Sequence, residues 1–103
     1  MKKSCISGLE NVKEFSLLLR LIADPLRIKI LCYLAQISEN QGCYVGTLQE
    51  AFDKAPNLIS HHLGMLKRAE LVSCSKEGTK RRYQLNLKKY QILKDGIITV
   101  FDL

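Results

Sequence analysis

The sequence predicts a mainly α-helical domain with one small β-hairpin, in the order α-α-α-α-β-β-α. Three observations predict it. Apolar residues recur at three- and four-residue steps in five separate segments. The period changes to two between residues 71 and 85, around Gly78. Asp24-Pro25, Pro56-Asn57 and Asn86 stand where one segment hands over to the next.

The first helix covers about Leu9–Ile22, with Leu9, Val12, Phe15, Leu18, Leu19 and Ile22 at helical spacing. Leu17 and Leu21 widen its apolar stripe beyond what a half-buried helix needs. Asp24 suits an N-cap and Pro25 a first helical position, so a second helix runs over about Pro25–Ile37. Leu26, Ile30, Leu31, Leu34 and Ile37 form its inner side, and Ser38–Gly42 is a polar loop. A short third helix near Val45–Asp53 buries Leu48, Ala51 and Phe52. After a tight turn a fourth runs over about Pro56–Ala69, with Ile59, Leu63 and Leu66 inward. Its Asn57, Ser60, His61, Gly64, Lys67 and Arg68 face outward.

Leu71–Lys76 and Lys80–Leu85 read as two strands joined by Glu77-Gly78-Thr79, where Gly78 supplies a positive φ. Tyr83 and Leu85 alternate inward, while Lys80, Arg82 and Gln84 alternate outward. Asn86 can cap a last helix, about Leu87–Phe101, whose Tyr90, Leu93, Ile97 and Phe101 step by three and four. Gly96 weakens that helix by about 1 kcal/mol relative to alanine.

Residues 1–103 are expected to form a single domain. Hydrophobic residues are 47% and charged residues 25%, which excludes a disordered tail. Apolar runs are short, Leu17-Leu18-Leu19 ending at Arg20, so no membrane span is expected. Met1-Lys2-Lys3 begins like a signal peptide, but Ser4, Ser7, Gly8, Glu10 and Asn11 deny it an apolar core. The expected location is the cytoplasm. The four cysteines, at 5, 32, 43 and 74, form no CxxC pair. The two histidines are neighbours, about 100° apart on a helix, and cannot easily share a metal. The HExxH, GxGxxG, P-loop and GxSxG signatures are absent, so an enzyme is not expected.

A helix pair joined by a tight turn and followed by a basic strand-turn-strand reads as a winged helix-turn-helix. The net charge of +6 supports this. Residues 54–82 hold seven basic side chains against two acidic ones, which places five of the six charges there. A run of charge is commonly only a solvated face. Here it coincides with the helix that would enter the major groove and with the wing beside it.

Three stretches resemble the arsenic-repressor (ArsR/SmtB) family. Residues 21–31, LIADPLRIKIL, are similar to its "LADPTRLRIL". Residues 58–72, LISHHLGMLKRAELV, are similar to its "TVSHHLKVLREAGLV". Residues 76–85, KEGTKRRYQL, are similar to its "REGRWVYYRL" wing. The likeness covers about residues 15–87. It implies a homodimeric repressor that leaves double-stranded DNA on a chemical signal. The broad apolar faces of the first and last helices favour the dimer independently, since large apolar patches on monomers are rare. Leu9, Phe15, Tyr90, Leu93, Ile97 and Phe101 are its expected interface. Recognition helices about 34 Å apart then predict an inverted-repeat operator.

Asn57, Ser60 and His61 are the expected base-reading side chains, Asn57 also being readable as a turn or cap residue. His62 lies off that face and suits packing or a phosphate as well as a base. Lys67, Arg68, Lys80, Arg81 and Arg82 are expected at phosphates. The inducer is open. The resemblance implies metal through a Cys-x-Cys pair in the third helix or Asp and His on the last, and this chain has neither. Ile30-Leu31-Cys32-Tyr33-Leu34 resembles the persulfide- and redox-sensing members, which pair that thiol with one on the last helix; this chain has none there. Cys5 could substitute, and Cys43 could join a metalloid site. The residues imply no fixed cofactor, only a metal(loid) or a thiol modification as inducer. Against this stands the common fate of a free cysteine such as Cys32 or Cys74, a small structural residue. Two other readings are an inducer-independent regulator and a winged helix that docks a protein.

Overall fold

The computed structural model describes residues 12–37 and 41–101. Five helices and a hairpin follow one another along the chain. Helix α1 is Val12–Ile22; the expected start at Leu9 lies outside the described residues. Asp24 then sits in extended backbone and accepts a hydrogen bond from the Arg27 amide at 3.1 Å, which starts α2, Pro25–Gln36. Helix α3 is Val45–Phe52 and ends on Asp53 in the left-handed region, at φ 54°. Asp tolerates that region better than most residues do. Helix α4, Pro56–Arg68, starts on a proline and is capped by no side chain.

The end of α4 is a Schellman motif. The Leu71 amide donates to the Leu66 carbonyl and the Glu70 amide to the Lys67 carbonyl. Leu66 and Leu71, the two apolar partners of that motif, are fully buried. Glu70 occupies the left-handed position, at φ 65°, where glycine is usual. The Asn86 side-chain amide donates to the Glu70 carbonyl and so fastens this turn to the last helix. Asn86 thus spends its side chain on the turn, while its carbonyl accepts the first bond of α5, from Tyr90.

Strands β1, Val72–Glu77, and β2, Lys80–Leu85, pair antiparallel, with Val72 opposite Leu85 and Glu77 opposite Lys80. The turn is therefore the two residues Gly78-Thr79, with Gly78 at φ 64°. Tyr83 and Leu85 point inward as expected. Cys43 exchanges both backbone hydrogen bonds with Tyr83, at 2.8 and 2.7 Å, and extends the hairpin by one residue. Helix α5 is Leu87–Phe101.

Ile30, Leu48, Ile59, Leu63, Leu66 and Leu71 form the fully buried centre, drawn from α2, α3, α4 and the approach to β1. Phe15 and Leu93 are buried in this same core. Their expected place on a subunit interface is corrected: α1 packs on α5 within the protomer, and the Phe15 ring lies against Gly96. Tyr90 and Ile97 are half-buried against that core. Phe101 is 70% exposed. Of the three residues expected inside on α3, Leu48 is fully buried, Phe52 is half-buried and Ala51 faces solvent. No helix among the described residues is long and apolar enough to cross a membrane.

Candidate nucleic-acid interface

Helix α4 is held by its buried stripe, Ile59, Leu63 and Leu66, so its opposite face is fixed outward. Asn57, Ser60, His61, Lys67 and Arg68 are all exposed there. The N-cap of α4 is Ala55, so Asn57 is a residue of the helix itself, in its first turn. Its amide stands free of the cap role that the sequence left open. Asparagine, serine and neutral histidine at the first turns of such a helix carry the donors and acceptors that base edges require.

His62 departs from this face. It is 9% exposed, and its Nδ1 accepts a hydrogen bond from Arg27 Nε at 2.9 Å. The structure assigns it to packing beneath the helix rather than to the outer surface. A step of one residue turns a side chain by about 100°, which is enough to bury it.

The wing presents Lys80 and Arg81 as exposed cations. Lys80 lies over the Tyr44 ring, 5.3 Å from its centre. Arg82 is half-buried, donates to the Gln41 carbonyl at 2.9 Å and pairs with Glu77 at 3.1 Å. It anchors the wing to the chain before α3, where the sequence suggested a phosphate contact. Tyr44 donates its hydroxyl to Glu77 at 2.5 Å, which raises the Tyr44 pKa. Tyr44, Glu77 and Arg27 were not legible as interface-shaping residues. The Tyr44–Glu77 and Arg27–His62 bonds span 33 and 35 residues, beyond any local pattern.

The thiols separate by environment. Cys32 is exposed, so the alternative of a small buried core residue does not hold for it. It accepts from Gln36 Nε2 at 3.4 Å and lines an apolar cavity of about 440 Å³ with Ile28, Leu31, Tyr90, Leu93 and Ile97. Cys43 is buried, and burial pushes its pKa up to about 11. Cys74 is half-buried in β1, opposite Tyr83. Cys5 and Leu9 lie outside the described residues. No three His, Cys, Asp or Glu side chains among the described residues are grouped to hold a metal ion.

A helix pair whose second member turns a polar face outward beside a basic hairpin defines a winged helix-turn-helix regulator. Comparison with known proteins narrows the class. The bacterial regulatory proteins of the arsR family match residues 24–73. The chain is 39% identical over 76 residues to the arsenical resistance operon repressor of Staphylococcus xylosus, covering 74% of this chain and 69% of that protein. It is 38% identical over 87 residues to the repressor of the same description from Staphylococcus aureus, covering 84% and 77%. The solved structure of HlyU from Vibrio cholerae superposes with a TM-score of 0.67 at 26% identity, covering 91% of this chain and 98% of that one. The chain belongs to the arsR family.

Proposed function

We propose that this chain is a transcriptional repressor that binds an inverted-repeat operator in double-stranded DNA as a homodimer and is released by a thiol-reactive or metal(loid) inducer. One observation carries the DNA reading. The exposed face of α4 places Asn57, Ser60 and His61 together, and the cations Lys67, Arg68, Lys80 and Arg81 stand exposed on the same helix and on the wing. The curated relatives, named as repressors, support the direction of control. The protein acts in the cytoplasm and binds rather than catalyses.

The dimer reading rests on apolar residues that the protomer leaves uncovered. Val12 and Leu17 on α1, and Ile98, Val100 and Phe101 on α5, are exposed. They replace Phe15 and Leu93 as the expected contacts, beside Tyr90 and Ile97. For the inducer, Cys32 is the exposed thiol among the described residues, whereas Cys43 is both buried and protonated at neutral pH.

The test is fluorescence anisotropy with a duplex from the region upstream of its own gene, over a series of salt concentrations. If each subunit neutralises about three to four phosphates, log K against log salt should fall with a slope of about −5 to −7. A slope near zero, or no binding at low salt, would refute the DNA reading and favour a protein-docking module. Challenging the bound complex with zinc, cadmium, arsenite, persulfide and peroxide tests the inducer, and Cys32→Ser should abolish the thiol-dependent part of the response.

A further inference from the structure

Beneath the recognition helix lies a contact that the DNA reading does not use. Arg27, in the first turn of α2, donates from Nε to His62 Nδ1 at 2.9 Å and from Nη1 to the Leu21 carbonyl at 2.9 Å. Its backbone amide donates to Asp24 at 3.1 Å. One guanidinium is thus tied to the end of α1 on one side and to α4 on the other. The charged and titratable groups facing His62 are Arg27 and Asp24 from the α2 start, and His61 from α4 itself. The Asp24 Oδ2 lies 4.0 Å from Nδ1, and the His61 ring stands edge-on at 5.4 Å.

The chemistry of this contact is one-sided. An arginine Nε–H only donates, and an imidazole nitrogen accepts only when it carries no proton. The contact therefore requires neutral His62 with its proton on Nε2. Protonated Nδ1 would set two donors and two cations against each other at 2.9 Å. Burial holds the His62 pKa below the usual imidazole value; Asp24 pulls upward against it, and Arg27 and His61 add to the lowering. At neutral pH the contact is closed.

We propose that the Arg27–His62 contact is a positioning device for DNA recognition: it sets how α4 presents Asn57, Ser60 and His61, and it opens when His62 is protonated. The proposal rests on the DNA reading above. It makes acid weaken binding through His62, against the pull of the phosphates, which attract protons to any nearby histidine. By linkage, a tenfold loss of affinity on protonation requires DNA to lower the His62 midpoint by one pH unit.

The test compares the parent with His62→Asn in anisotropy titrations at pH 7.5 and 5.5, using the same upstream duplex. An asparagine oxygen can replace the Nδ1 acceptor without titrating. Relative to His62→Asn, the parent should lose affinity by about two- to fivefold on acidification to pH 5.5, because a midpoint below the ordinary imidazole value leaves His62 only partly protonated there. A merely structural role would weaken His62→Asn equally at both pH values. In the parent without DNA, nitrogen NMR should show the Nε2–H tautomer at pH 7.5, and amide shifts of α4 should move with the His62 midpoint. This second measurement stands even if His62→Asn does not fold. Parallel pH responses of parent and variant, or a protonated Nδ1 at pH 7.5, would overturn the positioning device alone. No binding by the parent at low salt would overturn the DNA reading beneath it.

Discussion

Gly96→Ala separates helix propensity from packing. In an isolated helix, alanine at this place should add about 1 kcal/mol of stability. The structure opposes that gain. A Cβ on residue 96 would stand 2.4 Å from Phe15 Cε1, 2.6 Å from Cδ1 and 3.0 Å from Cζ. Contacts that short cannot persist, and Phe15 is buried, so the ring must leave its seat or push α1 away from α5. Overpacking of this kind costs about 1–3 kcal/mol. The net expectation is a loss of about 0–2 kcal/mol rather than a gain. Phe15→Leu removes the ring atoms that collide. In that background Gly96→Ala should stabilise by about 1 kcal/mol. Urea unfolding of the parent, both single variants and the double variant, at one protein concentration, gives the coupling. If Gly96→Ala shifts stability equally in both backgrounds, the Phe15 seat is not what demands glycine.

Three further outcomes follow from the same structure. Glu70→Gly should raise stability by about 0.5–1 kcal/mol, because only glycine adopts the left-handed end of α4 without strain; a decrease in urea midpoint would show that the pairing of Glu70 with the half-buried Lys89 matters more. Asp24→Ala should lower the melting temperature at pH 7. The Arg27 amide bond, foremost, holds the Asp24 carboxyl below its usual range. The cap therefore stabilises above the unfolded value of about 3.8, and the difference between parent and variant should vanish as pH falls through the folded value. In thiol labelling at pH 7.5, Cys32 should react at once and Cys43 only on unfolding; fast labelling of Cys43 would contradict its burial and its pKa of about 11.

The elements were largely legible because their signals are local. Asp24-Pro25 opens α2 as a cap followed by a proline, and the stripe Ile59, Leu63, Leu66 locates the inner face of α4. That stripe in turn places Asn57, Ser60 and His61 outside. The misreadings share another cause. Phe15 and Leu93 have the spacing of an apolar face, and spacing does not say whether the neighbour is the same chain or a second one. For His62 and Cys32 the sequence left two readings open each, because burial is decided where α2, α4 and α5 meet and no local pattern records that meeting. Gly96 looked like a weak point in a helix, whereas its missing side chain is the seat of a ring about eighty positions earlier.

A two-stranded sheet carries two unsatisfied edges, and each is a template on which another chain can add a strand. The bridge between Cys43 and Tyr83 occupies the middle of the β2 edge with a donor and an acceptor from the same molecule. Gly42 keeps the place open for this, since a Cβ there would sit 2.8 Å from the Tyr83 carbonyl at φ +63°. The wing edge is thereby closed to strand addition, so many copies gathered along one nucleic acid would not be drawn into a shared sheet through β2.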